Sequence, residues 1–160
     1  SSTSRGLGDV YKRQKQHCLN AEKTVEYLSK HKNVARVIYP TKYDGEIGKR
    51  AKKYLNGGYG GLVGIELKGG IEAGKKFIEA LKMFYHVANI GDARSLAIHP
   101  GSTTHSQLNE KELLAAGVTP GYVRLAIGIE HIDDIIEDLE QALNKTSNNI
   151  ENIKKAKAVG

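Results

Sequence analysis

Arg124 interrupts an otherwise apolar run, Tyr122 to Ile129, and is the residue of this 160-residue chain best placed to do chemistry. Successive side chains of a strand point to opposite sides. Val123, Leu125, Ile127 and Ile129 therefore fall on one face, and Tyr122, Arg124, Ala126 and Gly128 on the other. The apolar set must pack on helices, which leaves the guanidinium among small neighbours on the second face. Arginine offers a planar fork that grips a carboxylate through two parallel hydrogen bonds, and a mid-strand position gives it a rigid support. Spacing alone leaves three fates open: a ligand carboxylate, a structural carboxylate, or solvent.

Other patterns carry less. Gly69 to Lys75, GGIEAGK, matches the first seven positions of a phosphate-binding loop. The next residue is Lys76, where magnesium needs a hydroxyl, and Glu72 would put negative charge inside the cradle. Gly57-Gly58-Tyr59-Gly60-Gly61 does not fit a dinucleotide fingerprint and reads as a turn. His99 and His105 lack further ligands at metal-site spacing, so hydrogen-bonded histidines are the expectation, with no metal. Asn144-Lys145-Thr146 is a glycosylation sequon in a chain without an export signal. The single cysteine, Cys18, excludes an internal disulfide.

The elements that must position these residues follow from periodicity. Cys18, Ala21, Val25 and Leu28 space as a helical face. Val34 to Tyr39 reads as a strand stopped by Pro40, about Gly45 to Leu55 as a short basic helix, and Leu62 to Leu67 as a second strand. Ile71, Gly74, Phe77, Ile78 and Leu81 space as an amphipathic helix. Val87-Ala88 and Leu96-Ala97-Ile98 are short apolar pieces. A brief helix spans Asn109 to Ala116, capped by Asn109 and ended by Gly117. Tyr122 to Ile129 is the clearest strand. Ile132, Ile135, Ile136, Leu139, Ala142 and Leu143 make the clearest helix, with Asp133 and Asp134 suited to its first turn. The order predicts an α/β two-layer domain, a small and mainly antiparallel sheet with helices on one face.

The ends do not join this pattern. Residues 1–14 show no helical or strand period, and GLGDVYKRQ resembles translated sequencing-adaptor read-through. They are set aside as non-native, with the expectation that the gene continues upstream. Residues 145–160 read as a polar, weakly helical tail.

Composition narrows the class. Apolar residues make 39% and charged residues 26%, an ordinary globular balance. No apolar run approaches the roughly 20 residues a membrane helix needs, and a reducing, cytoplasmic setting is the expectation. The net charge of +6 concentrates in Lys49-Arg50-Ala51-Lys52-Lys53 and Lys154-Lys155-Ala156-Lys157. Neither cluster interleaves with aromatics as single-strand binders require. Solvated faces, rather than a nucleic-acid partner, are the expectation.

Ala88 to Leu108, ANIGDARSLAIHPGSTTHSQL, followed by Leu113 to Leu143, LLAAGVTPGYVRLAIGIEHIDDIIEDLEQAL, closely resembles the Cys/Met-metabolism enzymes dependent on pyridoxal phosphate (PLP). The resemblance extends upstream through HCLNAEKTVEYL and GGYGGLVGIELKGGIEAGKKFIEALK and covers Lys15 to Asn144. It implies the small C-terminal domain of a fold-type I PLP-dependent transferase. Within it, Arg124 matches the arginine that binds the substrate α-carboxylate. Asn89 stands near the same carboxylate, where many relatives have serine, and Thr104 matches a threonine that shapes the site.

Asn89 together with IHPGSTTH is most similar to the O-acetylhomoserine sulfhydrylase branch. The implied reaction replaces the acetate of O-acetyl-L-homoserine by sulfide or a thiol, giving homocysteine or methionine. A methionine γ-lyase or a cystathionine synthase or lyase is the alternative, and a stand-alone amino-acid-binding module is another of a different class. The resemblance also implies a homo-oligomer. The family's Schiff-base lysine and most of its PLP contacts belong to a preceding larger domain. No catalytic or cofactor-binding residue is therefore expected here, Lys75 and Lys82 included, and the chain alone is expected to be inactive.

Overall fold

The computed structural model describes residues 2–103, 110–115 and 118–157. In chain order the elements are α1 (Ser2–Leu28), β1 (Val34–Ile38), α2 (Gly45–Tyr54), β2 (Leu62–Leu67), α3 (Gly70–Ala80), β3 (Leu96–Ile98), α4 (Glu110–Ala115), β4 (Tyr122–Ala126) and α5 (Ile132–Lys157). The four strands form one sheet in the order β1-β2-β4-β3, every pair antiparallel.

One face of the sheet is the core. Val63 pairs with Leu125, and Ile65 with Val123 and Val37. Ala97 lies across from Leu125. All but the half-buried Val37 are buried. α1 and α3 lie on this face, and α5 packs against both. They contribute Leu28, Phe77, Ile135, Leu139 and Leu143, none with measurable exposure. Each such side chain contributes about 1.5–3 kcal/mol by leaving water. The expected α/β architecture, with helices on one face of a small antiparallel sheet, is what forms.

Pro40 lacks an N–H, so the first strand ends at Ile38 and a 3-10 turn follows. Gly69 and Gly70, with φ of 108° and 64°, make the left-handed entry into α3. These glycines of the GGIEAGK string thus serve a chain reversal.

Three expectations differ from what forms. β4 ends at Ala126 rather than Ile129. Its partner β3 is three residues long and pairs only up to Ala126. Beyond it, the Ile129 N–H donates to the Ala93 carbonyl at 2.9 Å, and the Gly128 N–H to Ser95 Oγ at 2.9 Å. α1 begins at Ser2, through the segment without period. Residues 8–16 are exposed on every side of the helix, so no apolar stripe is required there. α5 continues to Lys157, and Thr146, placed in the polar tail, is fully buried with its hydroxyl donating to the Leu143 carbonyl at 2.7 Å. No helix among the described residues is long and apolar enough to cross a membrane.

Candidate functional site

The face away from the helices carries the candidate site. Arg124 is in register with Gly64 on β2 and Ile98 on β3. It is half-buried and lines a cavity of about 250 Å³ with Ile38, Tyr43, Leu62, Gly64 and Tyr122 among its neighbours. Apart from the guanidinium and the three tyrosines, Tyr39, Tyr43 and Tyr122, these walls are apolar or bare backbone.

The charge has no counterion in that setting. Glu66 is the one carboxylate that the four strands carry. It lies 3.3 Å from the Arg36 guanidinium and accepts the Thr119 hydroxyl at 3.0 Å. Among the described residues no ion pair involves Arg124. A half-buried guanidinium with no carboxylate partner among the described residues, on a rigid strand, has its hydrogen-bonding fork available to an anion or to water.

The other two predicted residues stand differently. Asn89 is exposed in the loop before β3, its Oδ1 accepting the Ile90 N–H at 3.0 Å. It does not line the Arg124 cavity. Thr104 lies outside the described residues. Their immediate neighbours Ala88 and Thr103 share a cavity of about 380 Å³ with Ile98, the residue in register with Arg124. Neither Asn89 nor Arg124 itself lines that cavity.

A clamp invisible to sequence reasoning holds this ground. The Ser95 N–H and hydroxyl donate to the Glu130 carboxylate at 2.6 and 2.9 Å. Asn20 on α1 donates to the Gly128 and Glu130 carbonyls at 3.0 and 2.8 Å. The segment that follows β4 is thereby joined to the end of the Asn89 loop by bonds 33 and 35 residues apart in sequence, and to α1 by bonds 108 and 110 apart. A Cβ at Gly128 would overlap Glu130 and Ala93.

His99 is structural. It is fully buried, with Nε2 2.8 Å from the Pro120 carbonyl and Nδ1 2.8 Å from Ser102 Oγ. The carbonyl only accepts, so Nε2 carries the proton and Nδ1 accepts from the hydroxyl. Gly74 makes room, since a Cβ there would overlap the imidazole. No group of three potential metal ligands occurs among the described residues, and His105 lies outside them.

Burial holds the His99 pKa below its ordinary value, and burial chiefly does the same for His31, helped by Lys32 and Lys68. The unfolded chain, with histidine near its usual value of about 6.5, then binds protons more readily than the folded one. This contribution to stability is complete above about pH 6.5 and is lost as pH falls through the folded-state values. The urea midpoint is expected to fall between pH 7.5 and 5.5. A flat or rising midpoint would contradict the neutral, buried His99.

The residues do not fit a covalently held carbonyl cofactor. Such a lysine needs a desolvated pocket, and every lysine whose side chain is described is exposed. Lys75 lies 3.0 Å from Glu72 at the surface.

Comparison with known proteins sharpens this picture. The profile of the Cys/Met metabolism PLP-dependent enzyme family matches residues 2–144. Over 140 residues the chain is 51% identical to the O-acetyl-L-homoserine sulfhydrylase of Leptospira meyeri, covering 87% of this chain and 32% of the relative. The homocysteine synthase of Schizosaccharomyces pombe is 45% identical over 139 residues, 87% of this chain and 32% of the relative. An L-methionine gamma-lyase of Fusobacterium nucleatum subsp. polymorphum is 44% identical over 144 residues, 88% and 35% respectively. A crystal structure of an O-acetylhomoserine (thiol)-lyase from Campylobacter jejuni, with N'-pyridoxyl-lysine-5'-monophosphate, superposes with a TM-score of 0.77 at 41% identity. That match covers 88% of this chain and 33% of the other. The chain thus spans about a third of the length of these relatives.

Proposed function

The chain belongs to the Cys/Met metabolism PLP-dependent enzyme family, and from that premise we propose that residues 15–144 are the substrate-carboxylate-binding C-terminal domain of an O-acetylhomoserine sulfhydrylase. The observation that carries the reading is the half-buried Arg124 guanidinium, without a carboxylate among the described residues, on the open face of the sheet. Asn89 and Thr104 complete the substrate contacts in this reading.

PLP, the cofactor of this family, supplies the electron sink for the reaction when bound. Every lysine whose side chain is described is exposed, so this domain's work is placement. Arg124 holds the amino acid's carboxylate by two parallel hydrogen bonds and so fixes the direction of the bonds at its α-carbon. The largely apolar cavity walls lower the local polarity and strengthen that contact. In the whole enzyme the outcome is O-acetyl-L-homoserine plus sulfide giving homocysteine plus acetate, or methionine with methanethiol. We place the enzyme in the cytoplasm as a homo-oligomer and expect the isolated domain to be inactive.

The methionine gamma-lyase relatives at comparable identity favour a second reading, cleavage of methionine. A product assay on the full-length holoenzyme separates the two. With O-acetyl-L-homoserine and sulfide it should release acetate and homocysteine in equal amounts. With L-methionine alone it should release little 2-oxobutanoate, ammonia and methanethiol. Elimination from methionine at the faster rate would reverse the assignment, and turnover by the isolated chain would overturn its inactivity.

A further inference from the structure

We propose that Tyr122 is a positioning residue for Arg124, its ring seated over the bare backbone of Gly64 so that the guanidinium cannot fold down onto the sheet. The proposal deepens the reading of Arg124 as the carboxylate-binding group and rests on it.

Residues two apart on a strand share a face and stand about 7 Å apart, so Tyr122 and Arg124 are side by side. Gly64 is directly opposite Arg124 in the β2–β4 register. Any side chain at 64 would therefore be the cross-strand neighbour of Arg124. Instead, the position that a Cβ at Gly64 would take is 2.9 Å from Tyr122 Cε2 and 3.1 Å from its Oη. The outer edge of the tyrosine ring thus occupies the space that residue 64 leaves empty. Ile38 on β1 bounds the same spot, its Cβ 3.1 Å from that position.

The ring consequently leans diagonally from β4 toward β2, across the ground in front of Arg124. An arginine stem has enough rotatable bonds to cover apolar surface beside it. With Gly64 bare and no ring present, that surface would be Gly64 and Ile38. With the ring in place it is closed. Both residues line the same cavity of about 250 Å³. The two groups also sense each other electrically: burial raises the Tyr122 pKa, and the Arg124 charge opposes that rise. No hydrogen bond joins them among the described residues, so the role belongs to the ring rather than the hydroxyl.

The test uses the full-length holoenzyme. Tyr122→Ala should raise KM for the amino-acid substrate about tenfold while kcat falls by less than about threefold. Affinity for a carboxylate inhibitor should weaken in parallel, and affinity for the matching carboxamide should not. Tyr122→Phe, which keeps the ring, should bring KM back to within about twofold. Gly64→Ala, which displaces the ring without removing it, should raise KM as Tyr122→Ala does. An unchanged KM in Tyr122→Ala, or no recovery in Tyr122→Phe, overturns the proposal. Should Tyr122→Ala not accumulate as holoenzyme, Tyr122→Leu keeps much of the apolar volume without a planar ring, and it too must raise KM. If Arg124→Ala is kinetically silent, the carboxylate reading itself falls. If only the Tyr122 variants are silent, that reading stands and the positioning role is lost.

Discussion

Replacing Arg124 by alanine in the full-length enzyme is expected to lower kcat/KM for O-acetyl-L-homoserine by about tenfold to a hundredfold. A hydrogen bond to a charged group contributes about 1.5–3 kcal/mol, and each 1.36 kcal/mol is about a factor of ten. The loss should appear with the resting cofactor absorbance intact, because no described residue of this domain fits a covalent PLP contact. Arg124→Lys should recover only part of it. An ammonium keeps the charge but not the two-pronged geometry. The prediction depends on the lack of a local counterion. Were Arg124 paired as Arg36 is with Glu66 at 3.3 Å, its removal would unsettle the fold and leave the kinetics of the folded remainder unchanged.

The largest expected effect on stability comes from a different residue. Asp138 on α5 is only 6% exposed, and its carboxylate receives the backbone N–H groups of the segment that leaves α3. Oδ1 accepts from Lys82 at 2.9 Å, and Oδ2 accepts from Met83 at 2.8 Å and Phe84 at 3.3 Å. Gln141 Nε2 donates to Oδ1 at 2.9 Å and to the Ala80 carbonyl at 2.6 Å, tying the end of α3 into the same knot. Asp138→Ala would leave one buried donor and several part-buried ones without an acceptor, each costing about 1–3 kcal/mol less whatever water recovers. A net loss of about 2–4 kcal/mol is expected, lowering the urea midpoint by about 1–2 M. Asp138→Asn, which keeps one acceptor oxygen, should lose less. Glu137→Ala, at an exposed neighbouring position, should stay within about 0.5 kcal/mol of wild type. Equal effects at 137 and 138 would remove the capping role. The segment so held continues into the loop that carries Asn89, so this knot also supports the candidate site.

Where one face of an element was apolar, the sequence was a sound guide. β2 is observed from Leu62 to Leu67 as its composition predicts, and the alternation in β4 correctly placed Arg124 away from the helices. Features that depend on pairing between distant segments were not legible. Nothing near Tyr122 in sequence indicates that Gly64 lies beneath its ring. Nor does anything near Ile127 show that Ser95 and Glu130 end the strand early. Asp138 reads as one more polar residue on an amphipathic helix until the segment it caps is seen. The helical turns over residues 8–14 lacked a signal because a helix exposed all round needs no stripe. Of the three proposed substrate-site residues, only Arg124 was singled out by spacing, which gave its face and not its ligand. Asn89 and Thr104 entered only through resemblance, and Thr104 lies outside the described residues.

The most direct measurement pairs the protein change with the ligand change. Dissociation constants for a substrate-like amino-acid inhibitor and its carboxamide would be determined for wild-type full-length holoenzyme and for Arg124→Ala. The wild type should prefer the carboxylate by about tenfold or more, and the variant should bind the two almost equally. A preference for the carboxylate that survives the loss of Arg124 would show that another group holds it.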